Sequence, residues 1–376
     1  MRLSRSIVGE AEARAVSRVL LEDGYLGMGN EVRRLEEDLA HYLGVRPDQV
    51  VSVNTGTAAL HLAVEAVAAQ CAVTGQAEVL VPSLTFVASF QAITAAGCQP
   101  IACDVLPETG TLDLADAERR LSPRTIAIMP VDYASNPWHM DEILDFARRK
   151  GLRVVEDAAH AFGCKSKGRK IGSFGDVVCF SFDGIKNITC GEGGCLVSFD
   201  SEVTRIASDA RLLSVANDAQ KRFTGTRSWD PDVQRQGWRY HMSNIMAAIG
   251  RVQLGRLDKE FIPARRRLTA IYEQRLGAED GLALLATDPE DFIVRHIMPV
   301  RVLHGRKNAV KEALAAKGIP TGVHYKPNHL LTFFRQSGSL PATEQLYAEL
   351  LTLPLHPGLI AQDVEEVCAA VRQALH

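Results

Sequence analysis

The sequence predicts an α/β protein in which a large domain with a mostly parallel central sheet is followed by a smaller C-terminal α/β domain. Short β-branched runs alternate with longer helical stretches between residues 50 and 199, a pattern typical of a parallel sheet covered by helices. A long helical pattern and then new strand signals follow, which indicates a second unit. We therefore expect domains at residues 1–255 and 256–376.

Six short apolar runs are predicted to be buried strands, at residues 50–53, 79–81, 100–103, 125–129, 153–156 and 177–180. Helices fit between most of them. Those over residues 86–96 and 140–150 end at Gly97 and Gly151, where a helix C-terminus favours glycine. Further on, a helical pattern runs from Ala247 to about Leu276 and a strand is indicated at 297–302, so the domain boundary is expected inside the long helix, near residues 254–257.

Composition excludes several classes of protein. The chain has 376 residues, 46% hydrophobic and 23% charged, with a formal net charge of −3, so it has no excess positive field for nucleic acid or a membrane surface. No apolar run approaches the roughly 18 residues of a membrane span, and none follows the first arginines as a secretory signal requires. We expect a cytoplasmic protein with small-molecule partners. The eight scattered cysteines show no zinc-site spacing and are expected to be reduced thiols, with no metal bound.

Two strand-to-helix junctions are candidate ligand sites. The first, residues 54–60, opens a helix whose small residues let a phosphate approach exposed N–H groups, although Asn54 or Thr55 could simply cap that helix. The second, residues 82–89, places Phe86 where it could stack on an aromatic ring, although a lone aromatic side chain is more often part of the core.

Two adjacent carboxylates, Glu156 and Asp157, stand at the carboxyl end of a predicted strand, the edge at which open α/β sheets bind ligands. A carboxylate there can keep a pyridine nitrogen protonated, which deepens the electron sink of a pyridoxal cofactor. Asp157 is our candidate for that role. It could instead cap the next helix, and His160 could be a hydrogen-bonded core histidine.

Lys186 lies in a glycine-flanked loop after another buried strand. Schiff-base chemistry needs an amine that loses its proton near neutral pH, and burial beside cationic or apolar groups shifts a lysine pKa in that direction. The Ser181 hydroxyl, five residues earlier, could reach a cofactor phosphate. Most lysines are only solvated charges, so the neighbours of Lys186 carry this hypothesis.

These clusters, in this order, resemble the sugar aminotransferases of the DegT/DnrJ/EryC1/StrS family, which have the type I aminotransferase fold. The resemblance spans nearly the whole chain and rests on residues 24–29, 56–62, 156–160, 181–187, 237–254, 322–325 and 353–358. It implies pyridoxal 5′-phosphate as cofactor, with pyridoxamine 5′-phosphate as its second form.

The resemblance also implies residue roles. Lys186 would hold the cofactor as a Schiff base and move protons as general acid and base, Asp157 would face the pyridine nitrogen, and His160 would lie near the phenolic oxygen. The remaining cofactor contacts implied are Gly56, Thr57, Ala58, Phe86, Ser181 and Arg239. Substrate contacts would include Asn187, His324 and His329, although either histidine could merely stabilise a domain junction.

Two departures from the family pattern are visible. Arg239 stands where relatives commonly have asparagine that reaches the phosphate of a neighbouring subunit, so arginine could pair with that phosphate or with a substrate diphosphate. In residues 131–136 histidine and glycine are more usual in the family, which suggests a reshaped sugar pocket.

The likeness implies a homodimer with shared active sites, L-glutamate as amino donor and a nucleotide-linked keto sugar as acceptor. The sequence of residues 182–194 resembles family members that aminate C4, so amination at C4 is favoured over C3, as in surface polysaccharide, lipopolysaccharide or related glycoside biosynthesis. Two other functions are considered. A pyridoxal or pyridoxamine sugar dehydratase would carry histidine in place of Lys186. A catalytically silent cofactor-binding regulator or partner subunit would need a blocked substrate pocket.

Overall fold

The computed structural model describes residues 1–215, 223, 232–233 and 235–376. Its largest feature is a seven-stranded sheet in the order β1-β7-β6-β5-β4-β2-β3. The strands are β1 (Val50–Val53), β2 (Glu78–Pro82), β3 (Gln99–Cys103), β4 (Thr125–Ile128), β5 (Arg153–Asp157), β6 (Val177–Ser181) and β7 (Gly194–Ser198). All six predicted strands are therefore present.

Within this sheet, β7 is the strand that the sequence pattern did not predict. It pairs antiparallel with both β1 and β6, whereas the pairs among β2, β3, β4, β5 and β6 are parallel. Its apolar run is only three residues long, Cys195 to Val197, and follows the glycines of the lysine loop, so it gave no separate strand signal. A short antiparallel hairpin, Lys165–Ser166 with Arg169–Lys170, lies outside this sheet.

Helices cover the sheet. They are α1 (Glu10–Arg18), α2 (Asn30–Leu43), α3 (Gly56–Ala68), α4 (Val87–Ala95), α5 (Leu114–Arg119), α6 (Met140–Lys150) and α7 (Ser201–Ala210). Helix α3 is central: nine of its residues are buried, and its alanines pack against the sheet in the largest hydrophobic cluster. Gly151 ends α6 in the left-handed conformation, φ 68°, which glycine adopts without strain.

The predicted long helix is interrupted. It consists of α8 (Asn244–Arg256), a π-helical turn (Leu257–Phe261) and α9 (Ile262–Leu276). Pro263 accounts for the interruption, because proline has no N–H to donate and its ring clashes with the preceding turn.

The C-terminal part builds a second core. A three-stranded antiparallel sheet, β8 (Leu282–Leu284), β9 (Met298–Val302) and β10 (Leu350–Leu353), packs with α9, α10 (Lys307–Ala316) and α12 (Ala361–Leu375) into its own hydrophobic cluster. Helix α11 (Pro341–Glu349) precedes β10. The predicted fold class is confirmed, while the domain boundary at residue 255 stays a prediction.

The N-terminal segment links the two parts of the molecule. Leu3 C=O accepts from Leu355 N (3.0 Å), next to the small sheet, and the Ser6 hydroxyl donates to Gly184 C=O in the lysine loop. Gln253 Nε2, on α8, donates to Ile7 C=O at 2.9 Å. Residues 3–7, here called the N-terminal strap, thus contact the small sheet, the lysine loop and α8. Within the described residues, the structure holds no helix that is both long and apolar enough for a membrane span.

Candidate active site

Most of the predicted site residues come together at one edge of the large sheet. The carboxyl ends of β1, β2, β5 and β6 surround a cavity of about 340 Å³, within the range of small-molecule sites. Eight of the residues predicted from sequence line it: Gly56, Thr57, Phe86, Asp157, His160, Ser181, Lys186 and His324. A larger cavity of about 960 Å³ lies elsewhere, between the N-terminus and the small sheet's helices, and none of the predicted site residues lines it.

One end of the cavity is a polar cradle at the N-terminus of α3. Thr55 caps the helix, its Oγ1 accepting from Ala58 N at 3.0 Å, so the capping interpretation is confirmed. A Cβ added to Gly56 would lie 2.7 Å from Ser181 Cβ, which shows how closely the two backbones approach. The start of a helix leaves N–H groups without intrahelical partners, and the hydroxyls of Thr57 and Ser181 add further donors. This end suits a phosphate.

Asp157 lies at the base of the cavity. It is 5% exposed, and its carboxylate accepts from Ser89 Oγ at 2.7 Å and from Ala159 N at 3.2 Å. Burial raises the pKa of Asp157, while these hydrogen bonds and the Lys186 charge act in the opposite direction. No helix follows it, because residues 158–164 form turns, so the helix-capping interpretation is wrong.

Lys186 approaches the same cavity from the loop after β6. A turn, Lys186 N to Asp183 C=O at 3.1 Å, fixes its backbone. Burial lowers the pKa of Lys186 to about 8, Asp157 and Asp183 oppose this shift, and the Arg265 cation adds to it. The free amine, which is the form that attacks an aldehyde, is therefore far more populated near neutral pH than in an ordinary lysine, although the ammonium form still predominates at pH 7.

The wall opposite Asp157 is made of uncharged aromatic side chains. Tyr325 Oη lies 3.1 Å from His160 Nε2, and the His160 and His296 ring centroids are 4.6 Å apart. Burial lowers the pKa of His160 and His296 well below the ordinary value, and that of His324 to about 4. All three rings are therefore neutral at pH 7, and His160 Nδ1 is buried without a hydrogen-bond partner in the described part of the chain.

Phe86 is 53% exposed and lines the cavity, so the alternative that it belongs to the core is wrong. Its ring centroid lies 5.4 Å from that of Tyr325. The open ring face suits stacking with a flat aromatic ligand. Together the cradle, the buried carboxylate, the unpartnered imidazole nitrogen, the exposed ring and the amine with a lowered pKa fit a pyridine bearing a phosphate and an aldehyde.

Four of the predicted site residues do not line the cavity. Ala58 N–H is used by the Thr55 cap. Asn187, next to Lys186, faces the other way, its amide donating to Phe162 and Val294 carbonyls. His329 is held between Ser83 Oγ (2.7 Å) and Glu344 (3.4 Å). Arg239 forms a backbone bridge with Leu212 and its C=O accepts from Asn54 Nδ2 at 3.4 Å, but it is not among the residues that line the cavity of its own chain.

Several lining residues were not named as cofactor or substrate contacts from the sequence. They are Thr55, Leu60, Thr85, Ala88, Val131, Ala159, Asp183, Ile185, Glu192, His296 and Tyr325. Most neighbour a predicted residue in the chain, so extending each cluster by one or two positions would have found them. His296 had no such signal, because it precedes β9 of the small sheet and reaches the cavity through tertiary packing.

Comparison with known proteins agrees with this geometry. Residues 7–372 match the DegT/DnrJ/EryC1/StrS aminotransferase family. The chain belongs to this family. It is therefore an aminotransferase, and the family uses pyridoxal phosphate.

Two relatives are similar over almost their full length. The chain is 38% identical to a GDP-perosamine synthase of Caulobacter vibrioides, over 93% of this chain and 91% of that protein. It is 33% identical to a dTDP-4-dehydro-2,3,6-trideoxy-D-glucose 4-aminotransferase of Saccharopolyspora spinosa, over 99% and 96%.

Solved structures share the fold of this aminotransferase. The aminotransferase TlmJ of Streptoalloteichus hindustanus superposes with a TM-score of 0.91 at 34% identity, over 100% of this chain and 98% of that one. A putative sugar aminotransferase of Streptococcus pneumoniae, solved in PLP and PMP forms, gives a TM-score of 0.88 at 27% identity. It covers 100% of this chain, and 98% and 97% of the two solved chains.

Proposed function

We propose that this aminotransferase moves an amino group from L-glutamate to a keto group of a nucleotide-linked sugar, at C4 rather than C3, using pyridoxal 5′-phosphate. The observation that carries the proposal is the single cavity in which the lowered-pKa amine of Lys186 and the buried carboxylate of Asp157 meet. The nucleotide-linked acceptor is supported by the names of both relatives, and the C4 position by the name of the dTDP-sugar 4-aminotransferase. Surface polysaccharide or related glycoside biosynthesis is the corresponding setting.

We assign a role to each predicted cofactor contact that lines the cavity. Gly56, Thr57 and Ser181 bind the phosphate through backbone N–H groups and hydroxyls, and Phe86 stacks against the ring. Asp157 keeps a proton on the pyridine nitrogen. Pyridoxal phosphate, when bound, supplies the electron sink that stabilises negative charge at the substrate carbon.

Lys186 both anchors the cofactor covalently and moves protons. Its amine would hold the cofactor aldehyde covalently, with water as the group released, and Lys186 would then serve as the general base and acid that moves a proton at the substrate carbon. His160, neutral and held by Tyr325 Oη, is placed to donate or accept at the phenolic oxygen. Since no other lysine lines this cavity among the described residues, proton transfer at the reacting carbon depends on Lys186.

We propose that the substrate is bound by residues next to the small sheet and by residues of a second subunit. His324, held by Thr352 Oγ1 at 2.8 Å, lines the cavity and is the proposed sugar contact. Arg239 does not line its own chain's cavity, and we assign it to the phosphate or the substrate diphosphate in the partner subunit's site. Asn187 and His329 are held by other groups and are left out of the proposed sugar site. The homodimer and the cytoplasmic location stay predictions.

The test uses Lys186→Ala with Lys167→Ala as the matched control, because Lys167 is a surface lysine outside the cavity. Glutamate should convert the visible absorbance of wild-type and control proteins to that of pyridoxamine phosphate. Borohydride should attach the cofactor to the peptide that contains Lys186. The Lys186 variant should show neither change and no amination of dTDP- or GDP-linked 4-keto sugars.

Two results would contradict parts of the proposal. Full turnover by Lys186→Ala would exclude the role of this lysine. Faster amination of 3-keto than of 4-keto sugars would exclude the C4 assignment while leaving the aminotransferase chemistry intact.

A further inference from the structure

The segment in which the chain departs from its family, residues 131–136, lies beside strand β5. Asp132 N donates to Asp157 C=O at 3.0 Å, and Asp157 N donates to Pro130 C=O at 2.9 Å. Val131 and Asp157 form a parallel bridge. The segment thus extends the sheet by one pair of residues. This pair includes Asp157, which is proposed to face the pyridine nitrogen.

Where residues 130–132 pair with the end of β5, the alternation of side chains places two pairs of residues on opposite faces of the sheet. Successive residues of an extended chain point to opposite faces. Val131 and Asp157 both line the cavity, whereas Asp132 and Glu156 do not. Asp132 and Glu156 instead meet on the reverse face, where their carboxyl groups are within hydrogen-bonding reach of each other.

The carboxyl pair of Asp132 and Glu156 is deeply buried, and no cationic side chain among the described residues acts on it. Each residue is 1% exposed, and one oxygen of each, Asp132 Oδ2 and Glu156 Oε1, has no other hydrogen-bond donor in the described part of the chain. The charged groups that act on the pair are acidic. Titratable neighbours on the surrounding segments are Asp157, Asp291, Cys164 and Cys179.

Two ionised carboxylates cannot occupy such a site without a cation or a proton between them. We propose that Asp132 and Glu156 share one proton at neutral pH, Asp132 donating it to Glu156, and that this hydrogen bond holds residues 130–132 against β5 and so positions Asp157. Burial and mutual repulsion raise the pKa of both groups, in agreement with a retained proton. The positioning part of the inference rests on the proposed role of Asp157, whereas the shared proton does not.

The shared proton makes the stability of the cofactor-free protein depend on pH, in a direction that can be measured. In the unfolded chain both carboxyls are ionised above about pH 5, whereas the folded pair keeps one proton. Folding then takes up a proton, so stability is lost as pH rises from about 5 towards the raised pKa of the pair. Asp132→Asn replaces the shared O–H by an amide N–H and removes this proton uptake.

The experiment is chemical unfolding of the full chain between pH 5 and 7 for wild type, Asp132→Asn, Glu156→Gln and the control Asp145→Asn, whose side chain is exposed on α6. The unfolding constant of wild type should rise about tenfold per pH unit relative to that of either pair variant, the value for one proton. Asp145→Asn should follow wild type. Equal pH slopes in wild type and both pair variants would overturn the shared proton.

The positioning of Asp157 is tested by pyridoxal phosphate titration of Asp132→Ala and Asp132→Asn. We expect Asp132→Ala to weaken binding by about tenfold or more and Asp132→Asn to restore it to near the wild-type value, because only the amide still donates to Glu156. Equal binding by all three proteins would overturn the positioning role. Wild-type protein that binds no pyridoxal phosphate would instead overturn the proposed function, and the unfolding data would still decide the shared proton.

Discussion

A methyl group added at Gly56 tests the phosphate cradle. The new Cβ would lie 2.7 Å from Ser181 Cβ, 3.0 Å from Ser181 Oγ and 3.1 Å from the backbone Cα. Carbon atoms in contact normally lie about 3.5–4.0 Å apart, so the start of α3 and the end of β6 must separate by about 1 Å. Both groups proposed to hold the phosphate move apart in this variant.

The expected magnitudes follow from that overlap. Overpacking costs about 1–3 kcal/mol, and replacing glycine by alanine in a helix returns about 0.5–1 kcal/mol, so Gly56→Ala should lose about 1–2 kcal/mol of folding free energy. Displaced hydrogen bonds to a charged phosphate cost about 1.5–3 kcal/mol, which corresponds to about a ten- to hundredfold loss of cofactor affinity. Unfolding of the cofactor-free protein and absorbance titration with pyridoxal phosphate measure the two effects separately.

Gly255→Ala is the matched control, because it is the same change within α8 and the added Cβ has no atom within 4 Å. We expect it to stabilise the protein by about 0.5–1 kcal/mol and to leave cofactor binding unchanged. If Gly56→Ala behaved like Gly255→Ala in both assays, the close approach of Gly56 and Ser181 would not be part of the phosphate site.

Three further predictions follow from the site and the core. The rate at which Lys186 captures pyridoxal phosphate, followed by stopped-flow absorbance, should rise with pH with a midpoint near its pKa of about 8, and a midpoint above pH 10 would contradict its burial. Asp157→Asn removes the charge that raises the pKa of Lys186, so this midpoint should move to lower pH while transamination falls by at least about a hundredfold; an unchanged rate would exclude the proposed role of Asp157. Arg211→Met leaves the Glu36 carboxylate buried without its partner and should cost about 3–5 kcal/mol in chemical unfolding, and a loss below about 1 kcal/mol would contradict the burial of this ion pair.

Much of the site could be predicted from sequence because its groups lie at the carboxyl ends of β1, β5 and β6, strands that run in the same direction. Gly56, Asp157 and Lys186 each follow a strand that short apolar runs identify, and the carboxyl ends of parallel strands meet at one edge. Local pattern and sheet geometry together were enough to bring these residues into one cavity.

Side-chain direction in irregular segments could not be predicted in this way. Asn187 follows Lys186 directly, yet its amide is buried against two carbonyls while the lysine faces the cavity. His329 resembled a sugar contact but pairs with Ser83, whereas His296 reaches the site without any local motif. Such residues are placed by contacts between segments that are far apart in the chain, which no single segment encodes.

Strand β7 shows the same limit in the fold. Its glycine-rich start belongs to the lysine loop, and its short apolar run pairs antiparallel between β1 and β6. Because the chain must reverse after Lys186 to form this strand, the loop is closed on both sides by hydrogen-bonded backbone.

The contacts of the N-terminal strap decide where a purification tag can be placed. Its contacts join the carbonyl of Gly184, two residues before Lys186, to the small sheet and to α8. A bulky affinity tag fused to Met1, or cleavage within the first seven residues, therefore acts on the lysine from outside the cavity. Purification handles for this enzyme belong on the other terminus, beyond α12, where His376 is exposed and remote from the reacting amine.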